Sequence, residues 1–397
     1  MSSKLHGGNC ASPRLVHFGL ALITWLWIVG SLVAEVQFEY IGTHPDAVLQ
    51  ETEQGQTLHT LHEVSGRLFV GYGDYSADTG PIAFRSFDTQ NLTFSSPLGT
   101  VDTEAIFRIQ DSNGRVFALT TDPLLRDPGG YLGGPAGSTE GWAPENSLPF
   151  LHVLDFASTE SMLFLSGSGG PDDIFHSVVY ASSNGGSTWD LSLHANLPEG
   201  IEGGNGNFSR FYGAAEISGE VYVQQIFFRA GVAEPSTMFR FDGTGWNEHP
   251  PLLTSAGEWT YFIDPDEFKG EIVVRDAHPG EPSATYRFDG SELVKLEPNG
   301  LPDLMAWDQY VTDDTVYLLT NDRRVIASKD LVDWETIADN VPLTFRSLAV
   351  SDNSVFFGTT DSSLYRLTLV PEPSSTSLLV LLTFAVVTTN RRSGRPR

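Results

Sequence analysis

The sequence predicts an all-β fold: a seven-bladed β-propeller of four-stranded antiparallel blades, with the last blade closed by the N-terminal strand. Three observations carry the prediction. The composition, 39 glycines, 23 prolines and 18% charged residues in a chain of 397, describes short elements joined by turns. Apolar triplets recur seven times along the chain. The last repeat is one strand short, and a strand-like segment at the start of the mature chain matches the gap.

The triplets are Leu68-Phe69-Val70, Val116-Phe117-Ala118, Leu163-Phe164-Leu165, Val221-Tyr222-Val223, Ile272-Val273-Val274, Val316-Tyr317-Leu318 and Val355-Phe356-Phe357, spaced by 48, 47, 58, 51, 44 and 39 residues. Continuous β-branched and aromatic runs of this length are strands buried on both faces, and periods of roughly 40–50 residues are those of propeller blades. A strand precedes the triplet across a polar turn, as in FYGAAEISGEVYVQQ, and two more follow, as in STMFRFDGTGWNEH. Gly, Asn, Asp and Ser supply the turn conformations. After the last triplet only residues 363–368 remain before the tail. Val36, Phe38 and Tyr40 alternate with Gln37 and Glu39, the period of a half-buried strand, and would complete that blade. Closure removes the open edges that invite aggregation. Residues 126–147, RDPGGYLGGPAGSTEGWAPENS, read as a loop without its own core, a place where a rigid ring could bind.

The two ends read differently from the body. Lys4 and Arg14 precede an apolar run that closes on small residues at Ser31 and Ala34, the charged, greasy and cleavable parts of a helical signal peptide. We assign residues 1–34 to this leader, 35–369 to the propeller and 370–397 to a sorting tail. The tail's apolar run, 377–390, is shorter than the ~20 residues of an ordinary span, and Arg391, Arg392, Arg395 and Arg397 follow it. Arginines resist crossing, which predicts a short membrane segment with its basic end inside. Pro371 and Pro373 keep the preceding stretch extended. The only cysteine, Cys10, falls in the leader, so the mature body is built without disulfides.

Val370-Pro371-Glu372-Pro373-Ser374, with that apolar run and the arginine cluster, resembles the PEP-CTERM sorting signal of Gram-negative bacteria. The resemblance implies an exosortase-type processing enzyme as partner and delivery to the cell surface or extracellular matrix, with Val370, Pro371, Glu372, Pro373, Ser374, Arg391 and Arg392 as signal residues. Ser182-Ser183-Asn184-Gly185-Gly186-Ser187-Thr188-Trp189 resembles the Asp-box, or BNR, repeat of sialidase-like propellers, with Asn184 in place of the usual aspartate. That resemblance implies a structural turn built from Ser182, Asn184, Gly186 and Thr188, with Trp189 wedged between blades. Ser328-Lys329-Asp330 with Trp334, and Phe241-Asp242-Gly243 with Trp246, are degenerate relatives.

Sialidases of this architecture hold a substrate carboxylate with three arginines from separate blades. Arg108, Arg210 and Arg346 stand near the innermost strands of three units and are candidates for an anion site in the central funnel. The competing reading is inter-blade ion pairs in an acidic protein. The family's Phe-Arg-Ile-Pro signature is absent; Phe107-Arg108-Ile109-Gln110 is its nearest relic. No catalytic residue and no metal ligand is assigned. Asp264-Pro265-Asp266-Glu267 and Asp111-Ser112-Asn113-Gly114 offer oxygens of the kind calcium takes, but neither completes a twelve-residue loop, and solvated turns explain them equally. Calcium is the one cofactor the sequence raises. His59 and His62, three apart, would point to opposite faces of a strand.

The net charge is −27; removing the leader and the tail from Pro371 takes six of 23 basic and one of 50 acidic residues, leaving −32. Such a field repels nucleic acid and anionic membranes, and suits divalent cations, basic proteins or neutral polysaccharide. The expectation is a non-catalytic binding or structural protein of the cell envelope or matrix, touching the membrane transiently through its tail, with a sialidase-like glycoside hydrolase as alternative.

Overall fold

Each apolar triplet lies on the second strand of its repeat unit, where both strand faces meet neighbouring sheets, and all of these residues but Tyr317 are buried. The computed structural model describes residues 37–369 except 78, 124–128, 171–174, 255–256, 277–280 and 352. The leader, Val36, the sorting signal and the proposed membrane segment 377–390 lie outside the described residues. Among the described residues no helix is long and apolar enough to cross a membrane.

The N-terminal strand β1 is Glu39–Thr43. The first unit gives β2 (Thr60–Val64), β3 (Arg67–Gly71), β4 (Ile82–Asp88), β5 (Thr93–Phe94) and β6 (Gly99–Val101). The second and third give β7 (Ile109–Ser112), β8 (Arg115–Leu119), β9 (Gly129–Pro135), β10 (Ala143–Ser158), β11 (Leu163–Gly169), β12 (Ser177–Ser182) and β13 (Asp190–Ala195). The fourth gives β14 (Phe208–Ile217), β15 (Glu220–Arg229), β16 (Val232–Phe241) and β17 (Trp246–His249). The fifth gives β18 (Ile263–Phe268), β19 (Glu271–Arg275), β20 (Thr285–Phe288) and β21 (Leu293–Lys295). The sixth gives β22 (Ala306–Val311), β23 (Val316–Thr320), β24 (Val325–Ser328) and β25 (Trp334–Ala338), and the last gives β26 (Phe345–Ser351), β27 (Ser354–Thr359) and β28 (Ser363–Thr368).

All pairings between these strands are antiparallel, and the fold is an all-β propeller. The expectation of seven separate four-stranded blades is corrected. Five blades stand alone, as four sheets of four strands and one of five, while the second and third units form one continuous seven-stranded sheet. The cause is β10. Its 16 residues pair with β9 through Ala143, Pro144 and Glu145, shift register before Phe150, and pair with β11 from Phe150 onward. Within the stretch 126–147, expected to be a loop, the described residues from 129 onward instead supply β9 and the start of β10. Trp142, at the turn between them, packs over Phe69 and Phe84 with ring centroids 5.4 and 5.6 Å away.

The inner strands close a ring: β2 packs beside β7 and β26, β14 beside β10 and β18, and β22 beside β18 and β26. The last sheet runs β1-β28-β27-β26, so the N-terminal strand is its outermost member. Phe38 rests edge-on against Phe345 and Phe357, at 5.3 and 5.6 Å. The core is a set of layers between adjacent sheets. Phe164 and Val179 meet Phe211, Val223 and Phe241 in one layer; Phe268 and Val273 meet Val316, Ile326 and Trp334 in another.

Candidate functional site

The innermost strands β10, β14, β18, β22 and β26 each break register where they face the ring's centre. The breaks fall between Val153 and Asp155, Phe211 and Ala214, Ile263 and Asp266, Ala306 and Asp308, and Phe345 and Ser347. A bulge turns its extra residue out of the pleat and re-aims the neighbouring side chains. The residues stepped over include Leu154, Tyr212, Asp264, Trp307 and Arg346. Leu154, Tyr212 and Asp264 line a cavity of about 150 Å³ together with Tyr75, Phe107, Arg108 and Arg210. Gly213, inside the β14 bulge, is required by close approach, because a Cβ there would collide with the carbonyl oxygen of Phe262.

Arg108 sits among carboxylates. Its Nε donates to Asp155 Oδ1 at 2.9 Å and its Nη2 to Asp266 Oδ1 at 3.0 Å and the Pro265 carbonyl at 2.8 Å, while Asp264 Oδ1 lies 3.9 Å from Nη1. Asp155 is 1% exposed and also accepts the backbone N–H groups of Phe156 and Ala214, at 2.9 and 3.0 Å. One guanidinium, from the residue just ahead of β7, thus ties that segment to β10 and β18. Burial works against the Arg108 charge, but Asp155, Asp266 and Asp264 more than offset it and hold the group firmly protonated. Burial pushes the Asp155 carboxyl up to about 7, with Arg108 pulling the other way.

Arg275, 1% exposed, donates from Nη2 to Asp264 Oδ2 at 2.8 Å and from Nη1 to the Trp307 carbonyl. Asp308 Oδ2 accepts the Leu348 N–H at 2.8 Å, across the gap from β22 to β26. Its carboxyl is also raised by burial to about 7, against the pull of Arg275.

The three arginines singled out in the sequence separate in the structure. Arg108 and Arg210 line the same cavity, and Arg346 is not among its walls. Arg210 lies over the Phe208 ring at 4.6 Å, contacts His152 Nε2 through Nη2 at 2.8 Å, and donates to the Tyr212 hydroxyl at 3.3 Å. His152 is held neutral by burial and then by the Arg210 charge, so its Nε2 accepts from Arg210. Arg346 lies over Trp307 at 4.1 Å and donates to the carbonyls of Leu343 and Phe345.

A larger cavity of about 220 Å³ lies between β2, β7, β18 and β22, with Arg108 and Asp264 in its wall. Asp111, Asp266 and Asp308 line it, as do His59, His62, Gln309 and Tyr310. His62 Nε2 is 2.9 Å from Asp111 Oδ1, joining β2 to β7. Tyr310 exchanges hydrogen bonds with the backbone of Glu63 at 3.2 Å, joining β22 to β2. His59 and His62 line this cavity together, contrary to the expectation of opposite faces, because His59 precedes β2 and escapes its alternation. Asp264 and Asp266 belong to an inner strand, whereas Asn113 and Gly114, with φ of 52° and 74°, form the β7–β8 turn. Among the described residues no group of three or more His, Cys, Asp or Glu side chains is placed to hold a metal ion.

Residues 182–189 close a turn between β12 and β13, away from the cavity walls. Ser182 Oγ accepts the Gly186 N–H at 2.9 Å, and Asn184 Oδ1 accepts the Thr188 N–H at 2.9 Å while its Nδ2 donates to Thr188 Oγ1 at 2.8 Å. The Trp189 indole N–H reaches the Tyr131 hydroxyl at 3.3 Å. Asp242 and Asp330 cap equivalent turns by accepting two backbone N–H groups each.

Sequence reasoning missed Asp155, a buried hub, and Asp308, a half-buried one. The only available signal was an aspartate within an otherwise apolar inner strand, LHVLDFAS and MAWDQYV, where a buried charge demands a partner.

No protein-family model matches the chain, and no curated protein matches it. Solved structures do. PorZ, a bacterial surface component of the type-IX secretion system of Porphyromonas gingivalis, is 14% identical with a TM-score of 0.52, over 80% of this chain and 48% of that one. The extracellular domain of a candidate hybrid two component system from B. thetaiotaomicron is 11% identical with a TM-score of 0.51, over 84% of this chain and 39% of that one. The β-propeller domain of the Trilobed protease from Pyrococcus furiosus is 10% identical with a TM-score of 0.51, over 78% and 95%. This chain therefore spans less than half the length of the first two. At such identity the likeness shows the β-propeller fold alone.

Proposed function

We propose that the chain is an exported β-propeller acting as a non-catalytic binding and structural component of the cell surface or extracellular matrix. Its Val370-Pro371-Glu372-Pro373-Ser374 signal, with Arg391 and Arg392, is the address read by an exosortase-type enzyme. The observation that carries the binding reading is the state of Arg108. Its charge is consumed by Asp155 and Asp266, so the larger cavity is walled by carboxylates and by amide and imidazole side chains rather than by a free guanidinium. Such walls suit hydroxyl-rich or cationic groups. Two structural neighbours being extracellular or surface proteins supports the location.

The test is a glycan array probed with the secreted protein and assayed for both retention and cleavage. Retention without products is expected; released sugar would overturn the reading. A sialidase-like hydrolase is the second reading, favoured by Arg108 and Arg210 lining one cavity, and release of sialic acid from a sialoside would establish it.

A further inference from the structure

We propose that the cavity between β2, β7, β18 and β22 binds a protonated primary amine carried on a hydroxylated body, the chemistry of a 2-amino sugar. This rests on the binding reading and names the ligand class for the same channel. The first observation is a local imbalance of charge. Asp111, Asp264, Asp266 and Asp308 all line the cavity. The donors nearest them are already engaged: the guanidinium of Arg108 by Asp155 and Asp266, that of Arg275 by Asp264, and the His62 ring by Asp111. The Asp308 carboxylate accepts a backbone N–H from Leu348 and has no salt-bridge partner among the described residues.

The second observation is independent of charge. Gln309 and His59, 5% and 6% exposed, line the same cavity, and each retains an acceptor that finds no donor, Gln309 Oε1 and His59 Nδ1. Gln309 Nε2 is tied to the carbonyls of Asp264 and Val273, at 2.7 and 3.1 Å, so the amide oxygen is the free end of that side chain. His59 Nε2 lies 2.9 and 3.1 Å from the carbonyls of Gln54 and Gly73, which makes it the protonated nitrogen and leaves Nδ1 with a bare lone pair. Burial keeps this imidazole neutral, lowering it to about 4.

Two buried acceptors without donors, beside a cluster of carboxylates, select a ligand that brings donors. An ammonium brings three together with a charge for Asp308, and sugar hydroxyls supply the neutral donors that an amide oxygen and an imidazole nitrogen lack. A bare divalent ion fits less well, since no three ligating side chains are gathered for one. An anion meets the wrong sign. Binding also has a proton consequence. Asp308, facing Arg275 and Asp264, is held up to about 7 by burial, so a cation beside it expels a proton near neutral pH.

The experiment is calorimetric titration of the full secreted chain near pH 6.5 with D-glucosamine, N-acetyl-D-glucosamine and D-glucose, in buffers of different ionisation enthalpy. Glucosamine is expected to bind about tenfold or more tighter than its N-acetyl form, with a heat that varies with buffer because a proton is released. Asp308→Asn keeps an oxygen for the Leu348 N–H and removes the charge, and is expected to weaken glucosamine about tenfold while leaving glucose unchanged. Equal affinity for glucosamine and N-acetylglucosamine, or no sugar bound, overturns the proposal on the unaltered protein, whatever the variant's folding. Glycan retention on the array without amine preference would sink this site and leave the binding reading standing, whereas cleavage products would sink that reading itself.

Discussion

Asp155 Oδ1 receives the Arg108 Nε–H at 2.9 Å while its Oδ2 receives the Ala214 N–H at 3.0 Å, so one carboxylate joins a guanidinium at the entry to β7 to the backbone of β14. Asp308 repeats the device from β22 to β26 through Leu348. Between β15 and the segment that leads into β18 an uncharged side chain does the same work. Gln224 donates to the Thr260 carbonyl at 2.6 Å and accepts the Phe262 N–H at 2.7 Å. Inner strands of neighbouring sheets cannot share a ladder, and these side chains satisfy the backbone groups that face the gap.

Removing Asp155 tests this device. Asp155→Ala strands Arg108 beside a void and leaves the Ala214 N–H unpaired, which is expected to cost about 3–5 kcal/mol. Asp155→Asn retains an acceptor for that N–H and is expected to cost about 1–2 kcal/mol. Urea unfolding of the two variants checks the difference; equal losses would show that charge alone matters at this position.

Stability should depend on pH through two opposed sets of buried groups. His44, His59 and His152 are lowered by burial, the first two to about 3 and about 4 from an ordinary 6.5, so between pH 4 and 6.5 the unfolded chain binds more protons at these sites and stability rises with pH. Asp155 and Asp308 are raised to about 7 from 3.8, so over that interval the folded chain binds more protons and their contribution falls. Three histidines against two aspartates leave a net rise of about one proton's linkage to pH 6.5, then a decline toward pH 7. Urea midpoints across pH 4–8 check the profile. Asp308→Asn should steepen the rise and weaken the decline.

The sequence displayed the fold's period more readily than its joints. The triplets marked every second strand because a strand buried on both faces must be continuously apolar, as Ile272-Val273-Val274 is. The merging of the second and third units was hidden in residues 143–158, where Pro144 and Pro149 read as breakers although proline is tolerated where a ladder shifts register. The site was hidden for a related reason. Bulges at Leu154, Tyr212, Asp264, Trp307 and Arg346 decide which side chains meet in the channel, and a one-residue bulge has no composition of its own. Hence Arg108 and Asp266 could each be singled out, but not their pairing, nor Asp155.

The Asn184 turn offers a test in which structure and binding part company. Asn184→Ala removes the acceptor for the Thr188 N–H and is expected to cost about 1 kcal/mol. Asn184→Asp keeps that acceptor and should be close to neutral. Neither change touches the cavity walls, so ligand retention should match the parent once the variants are folded. Thermal unfolding and the array together check this, and a variant that is stable yet fails to retain ligand would relocate the binding face.

Chelation separates the propeller's stability from any cation. The acidic stretches at 111–114 and 264–267 do not converge three ligating side chains within the described residues, and Asp264 and Asp266 are neutralised by arginines instead. A melting temperature unchanged by EDTA is therefore expected, whereas a protein stabilised by bound calcium would lose several degrees as the ion is withdrawn.

Closure of the ring rests on a strand donated by the opposite end of the chain. Glu39 pairs with Arg366 through Oε2, at 3.0 Å from Nε, while Tyr40 stacks edge-on against Tyr365 at 5.7 Å and Phe38 covers Phe345. Residues 39–43 begin soon after the expected cleavage site at Ala34, and β28 ends two residues before Val370. Deleting residues 35–43 would bare the unpaired edge of β28, a template for pairing with another chain. The truncated protein is expected to exchange the amide hydrogens of β27 and β28 faster and to self-associate as concentration rises, reversibly on addition of a peptide spanning residues 36–44. Hydrogen exchange and sedimentation check both. A truncated chain that stays monomeric with full protection of β28 would show that the ring holds without its N-terminal strand.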